Sequence, residues 1–523
     1  MSLLVFKVCC FFSTLFLIYW CSHYCFENKL GNNLKNSTNV FAASRSFQVM
    51  FLAYLGVIAI TVLSIFSSYY LWSVLVLNWT YRNSFNFFNS SVYIWNSFTL
   101  WFNGSLLLLG IDSISFLLVV LTNIIMVLSY WYTIATNTNK IIQFVLLLFC
   151  IHVLLLAAFT VKDSIFFYIF FESILIPMFI IIGHWGARNR RIKANYYFFL
   201  YTLFGSFFML VGLMYIYVCF NSTAYDIFLF YKLPCNVQRL VWVCFFIPFA
   251  VKTPMFPFHI WLPEAHVEAP TIGSVVLAAL LLKLGGYGFI RFTIPLFKYA
   301  NLHFSSIIYG MAVISVIYAS LITIRQTDLK RIIAYSSVAH MNLAVLGLFS
   351  YTIQGIEGSV YLMLAHGIVS AALFFLIGII YSRTHSRLIS YYGGLACIMP
   401  KFSFFFVNLS LANMAFPGTS NFVGELLIMI GLVEKNTIVL TISALSIIFS
   451  AIYSIWLFNR VCFGSFKTTY FSYSLFWNLS LSYTEFIILF FLVALAWITG
   501  LTSDFILSPD MHFVVSYLVT ASN

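Results

Sequence analysis

A bundle of membrane-spanning helices is the fold class this sequence predicts, and three observations carry the prediction. Of 523 residues, 62% are hydrophobic and 8% charged, against about a quarter charged in soluble domains. The mean hydropathy is +1.00. The apolar residues fall into fourteen runs separated by short polar segments, each run near the roughly 20 residues that cross a bilayer as a helix. The expectation is an all-α polytopic membrane protein.

The first run, 3 to 25, carries Lys7 before Val8 to Trp20. It lacks a clear small-residue cleavage site and is long enough to span, so it reads as a retained helix and not a signal peptide. No Arg-rich, acid-poor transit peptide is present, which implies insertion where the chain is made. The second run, 48 to 77, lies between the two main polar loops, Glu27 to Arg45 and Asn78 to Ser90. Neither is large enough to be a domain. Helices three to eight are expected at 112 to 132, 141 to 160, 164 to 183, 195 to 220, 239 to 262 and 271 to 290. Helices nine to fourteen follow at 304 to 324, 329 to 350, 358 to 381, 402 to 433, 437 to 459 and 483 to 502.

The basic residues support this count. Loops after odd-numbered helices hold sixteen Lys or Arg, among them Arg188, Arg190, Arg191, Lys330, Arg331 and Arg387, and loops after even-numbered helices hold seven, including Lys162 and Arg291. Loops on the inner side of a membrane attract such residues, so both termini are expected on the outer side. In a soluble protein the net charge of +12 would suggest nucleic acid. Here the charge sits in loops, and the expected surroundings are lipids with no nucleic acid.

Two helices are expected to be broken. The seventh carries Pro248, Pro254, Pro257 and Pro263, and the twelfth is interrupted by Pro417-Gly418 before Asn421 and Glu425. Proline removes a backbone donor and frees carbonyls that need another partner. Broken helices at matching places point to inverted repeats. Asp163 and Asp328 open helices five and ten, and Pro254 and Pro417 follow at nearly the same offset. Helices four to eight, 141–300, would then recur inverted as helices nine to thirteen, 301–464, preceded by 1–111 and helix three in 112–140 and followed by helix fourteen and a tail in 465–523.

Buried ionisable residues carry the chemistry. A charge at bilayer depth costs about 2.5–3.5 kcal/mol, so it faces water or a partner. Glu172 lies half-way along the fifth helix and Lys252 beside Pro254. They are natural partners: a dry site disfavours the lysine's charge and a carboxylate favours it, so separating the two releases a proton. Lys283 stands too deep in the eighth helix to snorkel comfortably, and Glu425 is the only acid in its run. His259, His340 and His366 can donate and accept, as a proton wire requires, although packing also explains a lone histidine. The cluster His259, Glu264, His266, Glu268 lacks the fixed helical spacing of zinc sites. The ten cysteines show no paired ligand spacing. No phosphate loop or haem-ligand pair stands out, so no cofactor is expected in this chain.

Specific runs then resemble a known family. Phe171-Glu172-Ser173-Ile174-Leu175-Ile176-Pro177-Met178 with Gly183-His184-Trp185-Gly186 resembles the fifth-helix signature of the antiporter-like subunits of respiratory complex I. Val251-Lys252-Thr253-Pro254-Met255, His259-Ile260-Trp261-Leu262-Pro263-Glu264-Ala265-His266 and Ala269-Pro270-Thr271 resemble its most specific run. Leu281-Leu282-Lys283, Gln326-Thr327-Asp328-Leu329-Lys330 and Ala334-Tyr335-Ser336-Ser337-Val338-Ala339-His340-Met341 also fit, so the likeness spans about Asp112 to Gly464. Glutamate at 425, where other branches carry lysine, is similar to the chain 4 branch. The excess of Phe, Tyr, Ile and Asn fits an AT-rich organellar gene.

The resemblance implies a proton-translocating subunit in the mitochondrial inner membrane, its termini on the intermembrane-space side. Glu172 would pair with Lys252, Lys283 would be the central carrier, Glu425 the terminal one, and His259, His340 and His366 wire residues. It implies flavin, iron-sulfur clusters and ubiquinone in other subunits, and neighbouring membrane-arm subunits, antiporter-like ones included, as partners. The rival readings are an autonomous cation/proton antiporter and a passive scaffold. Four buried ionisable groups argue against the scaffold.

Overall fold

A computed structural model describes residues 96–102, 105–136, 140–230, 233–465 and 480–522. The expected helices one and two lie outside the described residues. From the third helix onward the expected run of helices is present: Ser113–Ala135, Ile141–Thr160, Ser164–Trp185, Arg191–Phe220, then Cys235–Lys252 with Trp261–Glu268, Thr271–Leu296, Lys298–Arg325, Leu329–Leu348 and Ile353–Thr384. Pro400–Asn413 with Ser420–Val433, Thr437–Cys462 and Tyr483–Leu501 complete it. Eleven of these helices are long and apolar enough to cross a membrane.

The seventh and twelfth helices break where their prolines foretold. The freed carbonyls of the seventh, however, are answered by protein. Trp261 Nε1 donates to Val251 O (2.9 Å) and Asn342 Nδ2 to Pro254 O (3.1 Å). A further interruption divides the fifth helix into Ser164–Ser173 and Leu175–Trp185. Its cause is Pro177, which has no N–H to return to the Ser173 carbonyl.

Three elements were not expected. Strands Asn96–Phe102 and Ser105–Ile111 form an antiparallel hairpin, with Phe98 opposite Leu109. The eighth helix contains two π segments, Leu277–Leu281 and Phe289–Thr293, and runs on to Leu296. A C-terminal helix, Pro509–Ser522, packs on the third, eighth and eleventh helices, where His512 Nδ1 meets Glu357 Oε1 at 2.7 Å.

The eighth and eleventh helices are enclosed on all sides, whereas the sixth and thirteenth expose long apolar faces. The enclosed helices are held close by glycine. A Cβ on Gly285 would lie 2.6 Å from Thr253 Cγ2 and 3.0 Å from Phe249 O. One on Gly424 would lie 2.9 Å from Leu362 Cα in the eleventh helix.

Four basic residues counted as loop charges are buried: Lys162, Arg291, Lys330 and Arg387. Arg291 Nη2 pairs with Asp112 Oδ2 at 2.7 Å, and Lys330 Nζ donates to Ala269 O at 2.8 Å. Arg387 donates to Val267 O and lies 3.7 Å from Glu268 Oε1. Together Lys330 and Arg387 place two cations at the C-terminal end of Trp261–Glu268, where a helix favours positive charge. Two of the four came from each group of loops, so the bias between the groups survives.

Candidate functional site

The two enclosed helices meet at Lys283. This lysine is wholly buried. Its Nζ donates to Ala278 O (2.7 Å), a carbonyl of the first π segment five residues back, and approaches His366 Nδ1 at 2.9 Å. A π turn widens the helix and breaks the regular ladder of bonds. Here that irregularity brings a main-chain oxygen to the ammonium.

His366 faces His340 of the tenth helix, their ring centroids 5.8 Å apart. His340 Nδ1 contacts Glu425 Oε1 at 3.0 Å, on the second piece of the twelfth helix. Both imidazoles are buried, as is Glu425. Four expected residues thus form one line, Lys283, His366, His340, Glu425. His340 Nε2 has no hydrogen-bond partner among the described residues.

Glu172 and Lys252 form a second, looser group. Both carboxylate oxygens and the ammonium are buried without hydrogen-bond partners, so the expected pair is not a contact pair. Lys252 ends the first piece of the seventh helix, with Nζ 4.6 Å from the Phe171 ring centroid. Glu172 lies one residue further, in the last turn before the Pro177 interruption. Lys252 and Ser206 are the polar groups that act on its carboxylate, but the Ser206 hydroxyl donates to Leu203 O at 2.9 Å.

His259 stands apart from both groups. It lies in the break of the seventh helix between Phe256 and Tyr318, ring centroids 5.9 and 5.4 Å away. The His/Glu cluster disperses. Glu264 binds Arg331 (3.0 Å), Glu268 faces Arg387, and His266 stacks on Phe374 with neither ring nitrogen paired. Among the described residues no three His, Cys, Asp or Glu converge as metal ligands.

Sequence reasoning missed a buried triad between helices three and four. His152 Nε2 donates to Asn123 Oδ1 (2.9 Å), and Tyr130 OH lies 3.4 Å from His152 Nδ1. The three lie on helix faces turned inward, a pattern that apolar runs conceal.

Comparison with known proteins decides the family. The sequence model described as NADH:quinone oxidoreductase/Mrp antiporter, TM, matches residues 161–452. NADH-ubiquinone oxidoreductase chain 4 of Marchantia polymorpha is 52% identical over 365 residues, 69% of this chain and 73% of that protein. The chain belongs to the NADH-ubiquinone oxidoreductase chain 4 family. A chain of respiratory complex I from Thermus thermophilus has a TM-score of 0.75 at 28% identity, covering 82% of this chain and 90% of that one. A chain of the Mrp complex from Dietzia sp. has a TM-score of 0.74 at 16% identity, covering 92% and 96%, and shares the fold alone.

Proposed function

We propose that this chain is a proton-translocating membrane-arm subunit of mitochondrial NADH:ubiquinone oxidoreductase, multi-pass in the inner membrane. The line from Lys283 to Glu425 carries the reading. Lys283 Nζ can pass a proton to His366 Nδ1 across 2.9 Å, and the ring can release one from its other nitrogen. His340 takes it on Nε2 and gives the Nδ1 proton to Glu425 Oε1. Ring centroids 5.8 Å apart leave this middle step to a bridging water or a ring rotation. Glu172 and Lys252 form the switch: the carboxylate's approach favours the lysine's charge, and its withdrawal releases a proton toward Lys283. His259 lines the same broken helix. We place both termini in the intermembrane space, from the loop charges, and pumping toward it.

Electron transfer is assigned to other subunits, with flavin, iron-sulfur clusters and ubiquinone there, so this chain belongs to the translocating part of the enzyme. Neighbouring antiporter-like subunits are its proposed partners. Two inverted units, 141–300 and 301–464, are supported by matched backbone bridges. Asp163 pairs with Ala224 and Asp328 with Leu388, each joining the start of a helix to the loop two crossings later. Five crossings separate the two, which puts them at opposite ends of the bundle.

Autonomous cation/proton antiport is the less favoured reading, since the Mrp likeness extends to fold only. Purification of the native complex separates the two. Co-migration with flavin and iron-sulfur subunits and NADH:quinone activity is expected. A chain that purifies alone and exchanges sodium for protons after reconstitution would refute the assignment.

A further inference from the structure

Buried polar side-chain atoms stay unpaired at both helix breaks. At the seventh, Trp261 and Asn342 take freed carbonyls, while Lys252 Nζ and His259 Nδ1 have no hydrogen-bond partner among the described residues. At the twelfth, Ser420 Oγ, both amide atoms of Asn421 and the hydroxyl of Tyr453 on the thirteenth helix have no hydrogen-bond partner among the described residues. Ser420 and Asn421 are fully enclosed and Tyr453 is 1% exposed.

Helical spacing gathers these groups. Asn421 lies one turn before Glu425 on the same face of the twelfth helix, and Ser336 one turn before His340 on the tenth. One crossing separates the tenth and twelfth helices, so they run in the same direction. With Glu425 bonded to His340, Asn421 and Ser336 lie on one side of that contact, toward the Lys330 end of the tenth helix. Tyr453 enters the same layer, near enough for Glu425, Asn413 and Ser336 to act on its hydroxyl, although none meets it in hydrogen-bond geometry. An apolar side chain would be less costly at each of these sites, and buried polar atoms gathered in one layer are the usual setting of an ordered water.

The geometry points to a hydrated polar cradle at the break of the twelfth helix, in which Tyr453 and Asn421 are positioning residues that hold water against the Glu425 carboxylate. His340 approaches one carboxylate oxygen of Glu425, and the cradle supplies a second hydrogen-bonding neighbour. The inference rests on the relay reading above.

Tyr453→Phe tests it in the intact complex, since it removes one oxygen and keeps the ring. Turnover of coupled NADH oxidation is expected to fall about threefold to tenfold, the factor that one net hydrogen bond represents. The infrared carboxyl C=O band that Glu425→Gln abolishes is expected to shift in Tyr453→Phe. A normal rate, or a reduced rate with an unshifted band, overturns the cradle. If Glu425→Gln is impaired while Tyr453→Phe is normal, the relay stands and the cradle alone fails. Normal turnover in Glu425→Gln, or no band that it abolishes, overturns both. Should Tyr453→Phe fail to assemble, Asn421→Ala read by the same band decides in its place.

Discussion

His366 joins the two halves of the charged line, with Lys283 on one side and the His340–Glu425 contact on the other. His366→Ala removes the imidazole in contact with the Lys283 ammonium. Positioned proton transfer contributes about 10²–10⁴-fold, so coupled turnover should fall by on the order of a hundredfold. Assembly on native gels should be unchanged. Arg291 makes a different prediction. Breaking a buried ion pair by removing one partner costs about 3–5 kcal/mol, whereas an apolar replacement of both partners costs little. Arg291→Met should lower the heat-inactivation temperature of the complex, and Asp112→Leu added to it should restore most of the loss. The sequence showed Lys283 and Glu425 because a charge in an apolar run is conspicuous. It could not show that His366 touches Lys283 from 83 residues away, or that Asp112 binds Arg291 from 179. Arg291 looked like a loop charge because its partner belongs to another helix.

Among the elements, the breaks were legible and their consequences were not. Prolines at 254 and 417 mark the interruptions, whereas Pro248 stays inside Cys235–Lys252, and the donors that meet the freed carbonyls come from Trp261 and from Asn342 of the tenth helix. The interruption after Ser173 also has a visible cause in Pro177. Pro177→Ala should restore the missing backbone bond, straighten the fifth helix and rotate Glu172 away from Lys252. The expected result is impaired pumping with thermal stability unchanged or raised, read by fluorescence quenching and heat inactivation. Gly285→Ala should destabilise the complex by about 1–3 kcal/mol, the range for overpacking a filled core, because its Cβ would press on Thr253 and Phe249. A shift in heat inactivation reads that cost. The hairpin was missed although Asn103-Gly104, a strong two-residue hairpin signal, separates its strands. Its flanking residues are nearly as apolar as the helices, which hid the alternation. The π segments have no sequence signal that distinguishes them from ordinary helix.

For the whole molecule, composition and run length were enough to fix a helical membrane bundle, because lipid admits few alternatives. Which helices occupy its centre was not visible, since the eighth is less apolar than the outer sixth and thirteenth and the eleventh barely more so. Their burial explains how Lys283 and His366 come together away from lipid. The central claim is that protons pass along the line from Lys283 to Glu425 when NADH is oxidised. The most direct test compares wild-type and Lys283→Ala complexes in sealed proteoliposomes, measuring NADH oxidation and proton uptake together. The expected result is an assembled complex in which both fall. Full assembly with wild-type oxidation and wild-type pumping would contradict the account and make Lys283 a packing residue.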